Sequence, residues 1–374
     1  MRRTLLPLFL ALCLLLGGCG WLNGSYVSVT PHEVPKQVSH TDTITAGNYK
    51  EFLDALKQLV SAGTEVAAVH VAEYPAKALE VGVRRAVYNV MHNDPIGAYA
   101  VEDIQYEIGS SSGLPAVSIT VTYRHNSTEL QRIRSAVGIE QARTITANAL
   151  ESYEAGIVLL VSQYEDTDFS QFAQDYANEH PETIMEVPQV TQALYGTGDS
   201  RVVELIFSYQ TSRDSLRRMQ TQVKPVFDSA VLYVSGDGDD YQKFSQLYAF
   251  LMERFDYKLE TSITPSYSLL RHGTGDSRAF AQVYAAMCRD AGLTCMTVTG
   301  TRDGEPWTWN IVLDGEEYYH VDLLRCSESG KYRERTDEEM EGYVWDYSDY
   351  PACTGKPVPE PETQPTENNE EISN

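Results

Sequence analysis

The chain has 374 residues, enough at ~100–200 residues per domain for two or three domains, each with its own core. Its 29 Lys and Arg against 53 Asp and Glu give a formal charge of −24 and no sequence-wide electrostatic reason to bind a phosphate backbone, which requires a basic patch or stripe, so no nucleic-acid partner is expected. Hydrophobic residues at 42% and charged residues at 22% are ordinary for a chain that folds.

The first residues depart from that average. Arg2 and Arg3 precede an apolar run from Leu5 to Leu16, too short to span a ~30 Å hydrocarbon core comfortably, and Leu16-Gly17-Gly18-Cys19 follows. This order resembles the signal peptide and lipobox of bacterial lipoproteins. The resemblance implies removal of residues 1–18, a diacylglycerol on Cys19 and a membrane partner held through that lipid. A retained anchor helix is the alternative, and both readings put the remainder outside the cytoplasmic membrane. Without Arg2 and Arg3 the balance is 27 basic against 53 acidic residues, −26, so anionic headgroups repel the body and the lipid does the anchoring. Residues 19–42, polar and without periodicity, read as a tether.

From residue 43 to 234 strand and helix periods alternate, and one half echoes the other 86 residues later. Pro95, Val101, Tyr123, Leu130, Arg132 and Val137 correspond to Pro181, Val187, Tyr209, Leu216, Arg218 and Val223. The expectation is a duplicated unit of strand, helix, strand, strand, helix over 43–142 and 143–234. In the first copy the elements are 65–71, 76–93, 99–108, 117–125 and a helix from Thr128 onward. In the second they are 157–162, 169–179, 184–194, 202–210 and 214–223. Two unrelated α+β stretches are the alternative, and nothing here assembles catalytic groups.

Ser235-Gly236-Asp237-Gly238-Asp239-Asp240 is the best internal boundary. It lacks EF-hand spacing and a closing Glu, so its aspartates read as N-cap and first-turn residues of a helix over 241–255 and not as a Ca²⁺ loop. A Gly-rich turn, His272 to Ser277, opens a helix over 278–290 that stops at Gly292. Strands over 294–300, 307–313 and 317–323 follow, the last two joined by a tight turn at Asp314-Gly315. Residues 355–374, with four prolines and five glutamates, cannot build a core and read as a disordered acidic tail.

Within an expected domain over 235–354, residues from about 236 to 325 resemble the transglutaminase-like domain, a branch of the papain-like fold. Gly275-Asp276-Ser277 stands at that family's Gly-x-Cys turn and Ala291-Gly292-Leu293 at its helix end. Val298-Thr299-Gly300 stands at its next strand, Trp307-Thr308-Trp309-Asn310 at its His strand, and Tyr318-Tyr319-His320-Val321-Asp322 at its Asp strand. The fold class implied is α+β.

The family's Cys attacks an amide carbonyl, its His moves the proton and its Asp orients the His. By position this chain offers Ser277, Trp307 and Asp322. Serine is a poor nucleophile without a base, and indole has no lone pair with which to accept a proton. Losing one such group removes ~10⁴–10⁶ in rate, and here two differ. The expectation is therefore a non-catalytic binding or scaffolding domain with no cofactor and no metal. Trp307 and Trp309 become candidate contacts for a peptide, a glycan or an envelope protein. The enzymatic alternative is an amidase or acyltransferase built on Ser277 with His272 or His320 as base. A purely structural role requires Trp307 to be fully buried.

Cys288, Cys295, Cys326 and Cys353 allow three pairings in an exported body. Cys326 with Cys353 is favoured, because each lies outside the predicted elements, and Cys288 with Cys295 is the possible second bridge. Buried free thiols are the alternative.

Overall fold

A computed structural model describes residues 44–355 except 235, 260 and 261. The expected signal peptide, Cys19, the tether and residues 356–374 of the tail lie outside the described residues. Helix α1 (Tyr49–Ser61) begins at Asn48, whose side chain accepts the Glu51 N–H, and buries Phe52, Leu56, Leu59 and Val60 at helical spacing. Strand β1 (Val66–His70), α2 (Ala76–His92), the short α3 (Pro95–Ala100), β2 (Val101–Ser111) and β3 (Leu114–Tyr123) follow. The β2–β3 hairpin closes on Ser112 and Gly113, both at positive φ, as a two-residue turn matching strand twist requires. The three strands form an antiparallel sheet in the order β1-β3-β2.

The helix expected from Thr128 onward is only four residues, α4 (Ser127–Leu130). The chain then straightens into β4 (Arg134–Val137), which tucks Ala136 into a second sheet, and turns at Gly138 (φ +72°) into α5 (Gly138–Glu151). The division expected between residues 142 and 143 therefore falls inside a helix. Strand β5 (Gly156–Ser162), α6 (Phe169–Glu179), β6 (Gln189–Tyr195) and β7 (Ser200–Ser208) complete a sheet of order β4-β5-β7-β6, with β4 parallel to β5 and the rest antiparallel.

The order β5-β7-β6 repeats β1-β3-β2, and α1 and α5 end alike. Ala62 and Thr64 N–H groups donate to Gln58 and Leu59 carbonyls, as Ser152 and Glu154 donate to Asn148 and Ala149. The unit seen twice is thus helix, strand, helix, strand, strand, rather than one that closes on a helix.

Helix α7 (Arg213–Tyr233) continues past the expected limit at Val223, with Pro225 inside it. Its Leu216, Val223, Phe227 and Ala230 enter the same core as α8 (Asp240–Met252) and α10 (Ser277–Asp290). Between those helices lie β8 (Asp256–Tyr257), α9 (Pro265–His272), which is not among the expected elements, and β9 (Thr274–Gly275). β8 and β9 pair in parallel. Strands β10 (Cys295–Arg302), β11 (Glu305–Asp314), β12 (Glu317–Val321) and β13 (Tyr343–Val344) form an antiparallel sheet of order β12-β11-β10-β13, with α11 (Leu323–Ser329) after β12. Two separate cores contact this sheet. One is shared with the helices, and the other holds Val298, Trp309, Met340, Tyr343, Trp345 and Cys353. The fold is α+β.

Candidate functional site

Ser277 is the first residue of α10. Asp276 caps that helix by accepting the Ala279 N–H at 2.9 Å, and the β8–β9 pairing carries Tyr257 beside the same turn. Ser277 is 8% exposed, and its Oγ accepts the backbone N–H of Thr308 at 3.3 Å, which holds the start of α10 against β11 next to Trp307. Across the strand, Trp307 Nε1–H donates to Asp322 Oδ2 at 2.9 Å. The three positions singled out in the sequence therefore gather at one place.

Asp322 is 1% exposed and surrounded by donors. Oδ1 caps α11 by accepting from the Leu324 and Arg325 N–H groups at 3.0 and 3.1 Å. Oδ2 accepts from Trp307 and from the Tyr343 hydroxyl at 2.5 Å, and Arg302 approaches to 3.7 Å. Burial and the neighbouring Asp322 carboxylate push the Tyr343 phenol well above its usual range, so it stays a donor. The Arg302 guanidinium also lies 5.3 Å from the Trp307 ring and pairs with Glu328 at 2.9 Å. Arg302, two residues beyond Gly300 at the end of β10, carries no signal of its own in the sequence.

Chemically, the cluster fixes a carboxylate and an indole and leaves the hydroxyl idle. Among the described residues no imidazole, carboxylate or amine hydrogen-bonds Ser277 Oγ. His320 is fully buried and committed elsewhere: Nδ1 accepts from Trp309 Nε1–H at 2.9 Å, and Nε2 lies 2.9 Å from Asp337 Oδ1. Burial lowers its pKa. His272 ends α9 with its ring edge-on to Tyr267 at 5.5 Å. Trp309, expected beside Trp307 as a ligand contact, is 1% exposed and packs edge-on against Tyr343 and Trp345 in the second core, so that expectation is corrected. Trp307 is half-buried, with the ring of Tyr257, itself 44% exposed, 5.6 Å away at 49°. The full burial that a purely structural role requires is not met.

The expected disulfides are not formed: all four described cysteines are free. Cys326 belongs to the core shared with the helices and Cys353 to the other, which keeps them apart. The Cys326 thiol donates to the Arg333 carbonyl at 3.4 Å and takes an N–H from Arg335 at 3.6 Å. Cys288 and Cys295 lie side by side as thiols, and burial pushes Cys288 well up.

His320, Asp337 and Cys353 bring one ligand atom each within 4.8 Å of one another. The set does not fit a cation. Because Trp309 donates to Nδ1, the imidazole proton sits on Nε2, where it is given to Asp337, and the lone pair a metal needs is absent. Asp337 Oδ2 is also engaged, by the Cys353 N–H at 3.1 Å. Asp239 accepts from the Gln242 N–H as the N-cap of α8.

Residues 229–323 match the family model of the transglutaminase-like superfamily. No curated protein matches the chain. Among solved structures, a TGase is similar at 9% identity, covering 63% of this chain and 67% of its own, with a TM-score of 0.28. A candidate cysteine protease from Cytophaga hutchinsonii is similar at 14% identity over 39% of this chain and 65% of its own, TM-score 0.26. A candidate protease from Parabacteroides distasonis is similar at 10% identity over 68% of this chain and 39% of its own, TM-score 0.23. With Ser277, Trp307 and Asp322 gathered at the positions its motifs anticipate, the chain carries a transglutaminase-like domain over residues 229–323.

Proposed function

We propose that this is an extracytoplasmic protein anchored by lipid on Cys19, whose transglutaminase-like domain binds or scaffolds and does not catalyse. The observation that carries the reading is the Trp307 Nε1–H to Asp322 hydrogen bond at 2.9 Å. The carboxylate that orients a catalytic base in the family here orients an indole, which accepts no proton, while Ser277 accepts only a backbone N–H. The half-buried Trp307 and the exposed Tyr257 offer aromatic surface to a peptide or glycan at the cell envelope.

The test is a purified chain incubated with glutamine peptides and primary amines. Neither amide hydrolysis nor amine transfer is expected, and turnover that disappears in Ser277→Ala would overturn the reading. For the anchor, labelled fatty acid should enter the protein and be lost in Cys19→Ala, with the protein leaving the membrane fraction. Labelling that survives the substitution argues against the lipid.

A further inference from the structure

A cavity of about 260 Å³ lies between the second repeat and the transglutaminase-like domain. It shares no lining residue with the cluster around Trp307, and its size is slightly below the ~300–1,000 Å³ of drug-sized pockets. Four carboxamides line it, Gln174, Asn178, Gln210 and Gln282, together with Ser266 and Arg278.

The hydrogen bonding inside this cavity is incomplete in a particular way. Gln282 is 5% exposed and donates Nε2–H to Asn178 Oδ1 at 2.9 Å; Gln282 Oε1 and Asn178 Nδ2 have no partner among the described residues. Ser266 is 2% exposed, and its hydroxyl has none either. Arg278 forms no ion pair with any described residue. The carboxylate lining the same space, Glu186, is already met: its two oxygens accept the Gln210 and Thr211 N–H groups at 2.5 and 3.0 Å. A positive charge, a hydroxyl and an adjoining acceptor and donor are therefore left over. These groups open onto the cavity instead of being sealed from solvent, and one ligand that supplies the complementary donors and acceptors satisfies them together.

We infer that this cavity is a binding site for the carboxyl end of a short peptide, with Arg278 taking the terminal carboxylate and the Gln282–Asn178 pair and Ser266 taking the preceding peptide group. Arginine matches a carboxylate with two parallel N–H donors, and the carboxamide pair presents the acceptor and donor that a peptide N–H and C=O require. The occupant is dipeptide-sized, and because the site is separate from Trp307, the inference stands or falls independently of the proposed function.

The test uses the full chain with Ala-Ala, its C-terminal amide and glucuronate as probes, followed by titration calorimetry or ligand-observed NMR. Saturable binding of Ala-Ala in the millimolar range is expected, weakened at least about tenfold by C-terminal amidation and to a similar extent by Arg278→Gln. Ser266→Ala should weaken it severalfold, and Arg84→Gln, on the exposed face of α2 in the first repeat, should leave it unchanged. Arg278 is exposed, so its replacement leaves the fold intact. Absence of saturable Ala-Ala binding, equal affinity for the amide, stronger binding of glucuronate, or indifference to Arg278→Gln would each overturn the inference.

Discussion

The indole N–H of Trp307 and Oδ2 of Asp322 meet at 2.9 Å, while the Tyr343 hydroxyl reaches the same oxygen at 2.5 Å. This carboxylate now organises a packed corner built from an indole, a phenol and the start of α11. Its worth is structural, and that can be measured. Asp322→Ala removes a helix cap and leaves buried donors without an acceptor, so a loss of about 3 kcal/mol or more is expected in urea denaturation. Tyr343→Phe removes one of those donors and should lose about 1–2 kcal/mol. A change under half a kilocalorie in both variants would contradict the assignment.

The same corner allows a chemical reversal. Ser277→Cys alone should give a thiol of ordinary reactivity, because no base stands beside it. Combined with Trp307→His, the imidazole gains Asp322 as its orienter and can take the thiol proton. Alkylation at position 277, read by mass spectrometry at neutral pH, should be about tenfold faster in the double variant than in the single one. Equal rates would mean that the positions do not face one another as the hydrogen bonds to Thr308 and Asp322 indicate.

Glu334 provides a pH dependence. Burial, with the neighbouring Asp314 carboxyl, raises its pKa from 4.5 to about 7, against a bond from the Tyr332 hydroxyl that favours the charged form. The folded state therefore holds this proton more tightly than the unfolded chain. The resulting stabilisation is complete below about pH 4.5 and is lost as pH rises through about 7. Allowing for solvent screening of a partly exposed group, the loss is about 1–2 kcal/mol. Glu334→Gln should flatten stability over this window, and an unchanged slope would exclude Glu334 as its source. His320 acts in the opposite sense: burial lowers its pKa, so its contribution is present above about pH 6.5 and is lost as pH falls below that value.

The cysteines supply a direct measurement. Cys288, Cys326 and Cys353 are buried and Cys295 is half-buried, so in native protein those three should react with thiol reagents more slowly than Cys295, and on unfolding all four should react. No peptide linking positions 326 and 353 is expected after non-reducing digestion. Recovery of that link would mean that the two cores rearrange.

Strands were legible wherever one face is buried. Val117, Ile119 and Val121 alternate into the first core, and Val203, Leu205 and Phe207 into its counterpart. Gly292 and Gly315, at φ +77° and +61°, ended α10 and closed the β11–β12 turn as a left-handed position does. Helix α1 lies outside the expected elements, although Phe52, Leu56, Leu59 and Val60 have helical spacing. The helix expected from Thr128 onward stops at Leu130 because residues 134–137 pair with β5 as an edge strand. In the site, Ser277, Trp307 and Asp322 were found by their place in a motif. Arg302 has no such place, because its contacts with Asp322 and Trp307 leave no mark on spacing.

Helix α7 ends one half of the fold and begins the other without a break. A connection through irregular chain works as a hinge, but this helix buries one stripe from Leu216 to Ala230 in a core, and bending it would expose Phe227 and Ala230. Tyr153 and Met185 from the second repeat enter that same core. Among the described residues the second repeat and the transglutaminase-like domain therefore share one core, and a load on either is met by side chains of both.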